Sequence, residues 1–145
     1  MHSRVMAQLE SRIYDDALQG PATRMAAFPD SVNPFRWNGI VEGEHAYRLY
    51  DMSPYGNFDP ASGGLLYKAN WNQELQKVSE SHAFRYSLYF ARFPYWQESP
   101  AGKADGSTAV RLTDLRFGRP GESFFSLQAI VDATGRIVHI DFGRP

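Results

Sequence analysis

Apolar and polar positions recur with two different periods along this chain, and the switches between them mark out its elements. Between residues 3 and 19 the period is helical. Val5, Leu9, Ile13 and Ala17 return every four residues with Met6 beside them, which predicts one apolar stripe facing a partner. Ser3 is placed to cap this helix, and Gly20-Pro21 stops it: glycine accepts the left-handed cap and proline cannot continue the helix. Residues 36–43 and 45–53 alternate with period two around Glu42-Gly43-Glu44 and predict a hairpin, with Trp37, Gly39 and Val41 on one face. Residues 53–72 are rich in proline, glycine and turn formers and read as a long loop, with Tyr55, Phe58, Tyr67 and Trp71 packing part of it down as a flap. The helical period returns over 72–92, where Asn72 can cap, Leu75, Val78, Phe84, Leu88 and Ala91 form the stripe, Phe90 widens it and Pro94 ends it. A polar turn follows at 97–107. Three strands then close the chain at 108–117, 122–132 and 136–142, joined by short hairpin loops. In the middle one Phe124, Ser126, Gln128 and Ile130 alternate with Phe125, Leu127, Ala129 and Val131.

The order α-β-β-α-β-β-β predicts an α+β fold in which a mostly antiparallel, five-stranded curved sheet packs with two helices. No internal repeat is visible, and residues 1–145 read as a single domain with residues 1–20 as its front helix. In element order alone this resembles the cone of nuclear-transport-factor-like domains. That resemblance implies a small pocket enzyme or ligand-binding domain, with His45, His139, Asp114 or Asp51 pointing into an enclosed cavity.

Composition narrows the function classes. The chain of 145 residues is 43% hydrophobic and 14% aromatic, enough to bury a core and too apolar for a disordered chain. Its 15 basic and 16 acidic residues leave a net charge of −1, so no charge excess draws it to nucleic acid or to an anionic membrane surface. The absence of cysteine excludes disulfides, thiolate metal sites and a cysteine nucleophile. No apolar run approaches the roughly 18–20 residues that span a bilayer. The opening MHSRVMAQLESR carries charge throughout and does not read as a signal peptide, so the chain as written reads as soluble.

Candidate chemistry is sparse. His2, His45, His82 and His139 lie at no metal-binding spacing, and neither a GxSxG elbow nor a glycine-rich phosphate loop occurs. The segment FPDSVNPFRW, Phe28 to Trp37, is braced by Pro29 and Pro34, which suits it to aim Phe35, Arg36 and Trp37. Arginine precedes an aromatic residue three times, at Arg36-Trp37, Arg92-Phe93 and Arg116-Phe117, and Asp114 stands two positions before Arg116. One reading is a structural Arg–Asp pair beneath aromatic lids. The other is a pocket for a small anionic ligand, with Arg36, Arg92 and Arg116 gripping a carboxylate or phosphate, Asp114 beside them and Trp37 as a wall. A third role, as an interaction module or homo-oligomer, would use an exposed aromatic patch of Tyr55, Phe58, Tyr95 and Trp96.

Three segments together carry a family resemblance: Pro29 with Asn33, Pro34 and Trp37; then Arg92-Phe93-Pro94; then Asp114, Arg116 and Phe117. In this order, over roughly residues 25–132, they resemble the soluble C-terminal region of the LexA-regulated inner-membrane proteins of bacteria that bear the name metal-dependent hydrolase. The membrane helices and the histidine-containing motif on which that name rests are absent from this sequence. The resemblance therefore implies a non-catalytic accessory or ligand-sensing domain without a cofactor of its own. Any divalent metal, and any attachment to the inner membrane, would belong to an upstream region, and residues 3–19 would lead out of the last membrane helix.

Overall fold

A computed structural model describes residues 1–102, 105–123 and 125–143. The chain gathers into two compact units, Met1–Lys68 and Ala69–Pro145. The described residues are α+β and antiparallel, but they form two four-stranded sheets rather than one five-stranded sheet, with four α-helices rather than two. Each unit runs in the same order, a pair of helices followed by a four-stranded meander. The strands that patterning missed, Arg24–Pro29 (β1), Gly64–Tyr67 (β4) and Pro94–Pro100 (β5), all lie at sheet edges. An edge strand needs hydrogen bonds on one side only and tolerates proline, so its sequence can look like a turn.

In the first unit, His2–Glu10 (α1) buries Val5 and Leu9, but the predicted stripe fails at Ile13, which is 84% exposed. Tyr14 takes the buried place instead, and its hydroxyl donates to the Leu9 carbonyl at 2.7 Å. The single predicted helix thereby becomes α1 and a short turn, Asp15–Leu18 (α2). The left-handed cap falls on Gln19, at φ 57°, and not on Gly20. The hairpin is as patterned. Trp37–Glu42 (β2) and Ala46–Met52 (β3) pair Trp37 with Met52 and Gly39 with Tyr50. Their shared face joins Ala27, Val5, Leu9, Tyr14 and Leu18 in one core. A Cβ at Gly39 would lie 2.6 Å from the Met52 sulfur and 3.2 Å from Leu9, so glycine here lets α1 lie close upon the sheet.

In the second unit, the helix predicted over 72–92 is two helices, Gln73–Glu80 (α3) and His82–Phe90 (α4). Asn72 caps the first as expected, accepting from the Leu75 amide at 2.9 Å. Ser81 ends α3 and begins α4 in extended geometry, with its hydroxyl donating to the Val78 carbonyl at 2.7 Å. Strands β5, Thr108–Asp114 (β6), Ser126–Val131 (β7) and Ile137–Gly143 (β8) follow in spatial order. Leu75, Val78 and Phe84 of the helices pack on Val110, Leu112, Leu127, Ala129 and Val131 of the sheet. The strand predicted over 108–117 stops at Asp114 and turns into a 3-10 helix, Leu115–Phe117. Phe124, read as part of the next alternation, and Lys103 and Ala104 of the polar turn lie outside the described residues.

Candidate functional site

The exit of β6 is held by one carboxylate. Asp114, 7% exposed, closes the strand and caps the 3-10 turn, its Oδ1 accepting from the Arg116 amide at 3.1 Å. Its Oδ2 accepts from Arg116 Nε at 2.9 Å and Nη2 at 2.7 Å, and more distantly from the Arg92 amide at 3.4 Å. Arg116 Nη2 also donates to the Phe90 carbonyl at 2.8 Å, at the end of α4. One ion pair thus ties the exit of α4, the approach to β5 and the turn after β6. The contact between Asp114 and Arg116 arises from the turn, which curls Arg116 back over its own cap, and not from a shared strand face. The guanidinium also stands 4.9 Å from the centre of the Phe117 ring, which in turn lies 4.4 Å from that of Phe125.

Beside this clasp the second unit has a cleft of about 740 Å³ between α4 and the sheet. Helix α4 carries two apolar stripes. Phe84 and Leu88 enter the core, where Phe84 stacks on Trp96 at 5.7 Å. Tyr86 and Phe90, one turn apart, line the cleft instead, with Ala83 and Ser87 beside them. Leu112, Leu127 and Phe142 of the sheet form the opposite wall. Asp114, Arg116, Phe117, Phe125 and Ser126 complete the lining, so a mostly aromatic and aliphatic space has one charged end. Several of its rings are open to solvent: Tyr86 is 65%, Phe90 54%, Phe125 63% and Phe142 76% exposed.

Of the five residues expected to bind a ligand, Asp114 and Arg116 form the clasp, and Arg92 joins it through its amide while its side chain is exposed. Arg36 and Trp37 belong to the first unit. Trp37 is buried in that unit's core, and its indole donates to the Pro34 carbonyl at 3.0 Å. Arg36 is exposed, and its backbone closes the turn that precedes β2. Besides its prolines, two side-chain caps hold that turn. Asp30 Oδ1 accepts from the Val32 and Asn33 amides, and Asn33 Oδ1 from the Phe35 amide, each at 2.9 Å. The amides of Asn33 and then Val32 hold the Asp30 carboxyl below the usual carboxylate range.

The other expected groups are placed as follows. His45 and His139 are exposed, each near an acidic neighbour, Glu44 at 3.8 Å and Asp141 at 3.5 Å. Among the described residues no three histidine or carboxylate side chains gather as a metal site, and no helix is long and apolar enough to cross a membrane. The expected aromatic patch does not form as read. Tyr95 is buried, Trp96 packs in the second core, and Phe58 packs its ring at a tilt against Tyr50 on the first. Phe117 was expected beside Arg116, whereas the cleft residues Tyr86, Phe90, Phe125 and Phe142 were missed as site residues. The signal for two of them was present, since Tyr86 and Phe90 make a second i, i+4 stripe on the same helix. No protein-family model, no curated protein and no solved structure matches this chain.

Proposed function

We propose that the chain is a non-catalytic ligand-sensing module, and that its second unit takes a small aromatic or aliphatic molecule with one anionic end. The observation that carries this reading is the cleft beneath α4, apolar along its length and ending at Arg116. Its volume of about 740 Å³ falls within the range of about 300–1,000 Å³ typical of small-molecule sites. Arg116 spends Nε and Nη2 on Asp114 and Phe90, and its Nη1 makes no hydrogen bond among the described residues. That nitrogen can meet an anionic head without breaking the clasp. Asp114, with both oxygens already accepting hydrogen bonds, is poorly placed to take a proton from a substrate, which favours binding over catalysis. Two of the three segments that carry the family resemblance, Arg92-Phe93-Pro94 and Asp114 to Phe117, meet at this end of the cleft. In the setting that the resemblance implies, the module would be the soluble accessory part of a membrane-bound protein.

The probe for the test is anilinonaphthalene sulfonate, an aromatic anion of the right size, titrated into the full chain and followed by its fluorescence. Saturable binding is expected, tighter than for its neutral parent phenylnaphthylamine. Ser87→Trp fills the cleft from α4 and should weaken binding at least about tenfold, or roughly 1.4 kcal/mol, with an unchanged melting temperature. Equal binding by the wild type and Ser87→Trp would refute the assignment.

A further inference from the structure

The two sheets have four edges, β1, β4, β5 and β8. An exposed edge is a row of unpaired amides and carbonyls, and proteins commonly blunt it with proline or by keeping the strand short. Three of these edges are blunted in this way. β1 ends in Pro29, β4 has only four residues, and β5 carries Pro94 and Pro100. β8, with seven residues reading IVHIDFG, has neither device. Its side chains are open, with Val138 55% and Phe142 76% exposed, and His139 and Asp141 exposed over more than half their side-chain surface. The ladder with β7 slips at Val138, near the start of the strand, and is regular from His139 to Gly143.

We propose that β8 pairs with β8 of a second copy of this chain, antiparallel and centred on Ile140, so that the two sheets become one. The sequence of the strand is complementary to itself only in that register. Centred on Ile140, His139 faces the second copy's Asp141 twice over, so each exposed carboxylate meets an imidazole able to donate a hydrogen bond to it. A centre one residue later sets Asp141 against Asp141, and one residue earlier His139 against His139. Directly opposed residues of an antiparallel pair share a face, so the two His139–Asp141 pairs lie together on one side and Ile140 and Phe142 on the other. Within one copy His139 and Asp141 already stand 3.5 Å apart, and pairing extends this contact into a ring of four alternating groups. Backbone hydrogen bonds supply the affinity of such strand addition and the facing side chains supply its register.

Light scattering of the full chain across the micromolar range is expected to show a monomer passing into a dimer. Asp141→Lys should raise the dissociation constant at least tenfold, and the exchanged pair His139→Glu with Asp141→Lys should restore it. Both positions are exposed, and circular dichroism checks that each variant folds. The chain has no cysteine of its own, so Ile140→Cys provides a second reading: mild oxidation should give a covalent dimer, and Val5→Cys, buried beneath the first sheet, should not. A strict monomer at every concentration overturns the proposal. So does a dimer indifferent to Asp141→Lys, or one that the exchanged pair fails to restore.

Discussion

Asp114 and Arg116 show how two side chains can hold three pieces of backbone. Arg116 is joined to a carboxylate and to the Phe90 carbonyl, whereas Arg111 donates to Gln128 across β6 and β7. Replacing one partner of a well-buried pair strands the other, which costs about 3–5 kcal/mol, while loss of a single hydrogen bond between a charged and a neutral side chain costs about 1.5–3 kcal/mol. Arg116→Leu should therefore destabilise the chain more than Arg111→Leu, by about 2 kcal/mol in chemical denaturation. Equal midpoints would mean that the clasp adds nothing to the fold. The pairing of these two residues was legible in the sequence, because Asp114 and Arg116 are neighbours but for one position. The reason for it was not, since the turn that brings them together is set by capping of the Arg116 amide. Arg92 was singled out for its guanidinium, yet it is its amide that reaches the carboxylate.

At the scale of elements, hydrophobic period located the strands with a covered face and the edge strand β8, and missed the other three edges. β2, β3, β6 and β7 each alternate and were read within a few residues of their ends. β1, β4 and β5 carry prolines or glycines because an edge permits them, and the same residues signal a turn. The two long helical stretches each broke at a point that period cannot see. Tyr14 displaced Ile13 from the first core, and Ser81 terminated a helix that apolar spacing would have continued. Helix α3 also offers a pH test. Burial, and then the carboxylate of Glu98 beside it, push the Glu74 carboxyl up from its ordinary range. A carboxyl raised in the folded state favours folding most when protonated, so this contribution is present at low pH and is lost as pH rises through the folded value. Between neutral and mildly acidic pH the wild type should gain stability relative to Glu74→Gln. Parallel stability curves for the two proteins would contradict this.

At the scale of the molecule, each unit has its own buried cluster beneath a four-stranded meander. The sequence concealed this doubling because the two halves share an order of elements and no obvious run of residues. In each sheet the two central strands are hydrogen-bonded on both sides, and the outer two on one. Amide exchange followed by mass spectrometry should therefore be slowest in β2, β3, β6 and β7, because opening them requires the larger disruption. In β8, protection should rise with protein concentration if the strand meets a second copy. Faster exchange in the central strands than in the outer ones would show that the cores lie elsewhere.

Helix α4 forms the roof of the cleft, and it is fastened at both ends: at its start to α3 through Ser81, whose hydroxyl donates to the Val78 carbonyl, and at its exit by Arg116 gripping the Phe90 carbonyl. A beam clamped at either end resists tilting, so the gap beneath it keeps a set width. Guests should be sorted by thickness more than by length, with flat rings admitted and bulky branched cages turned away.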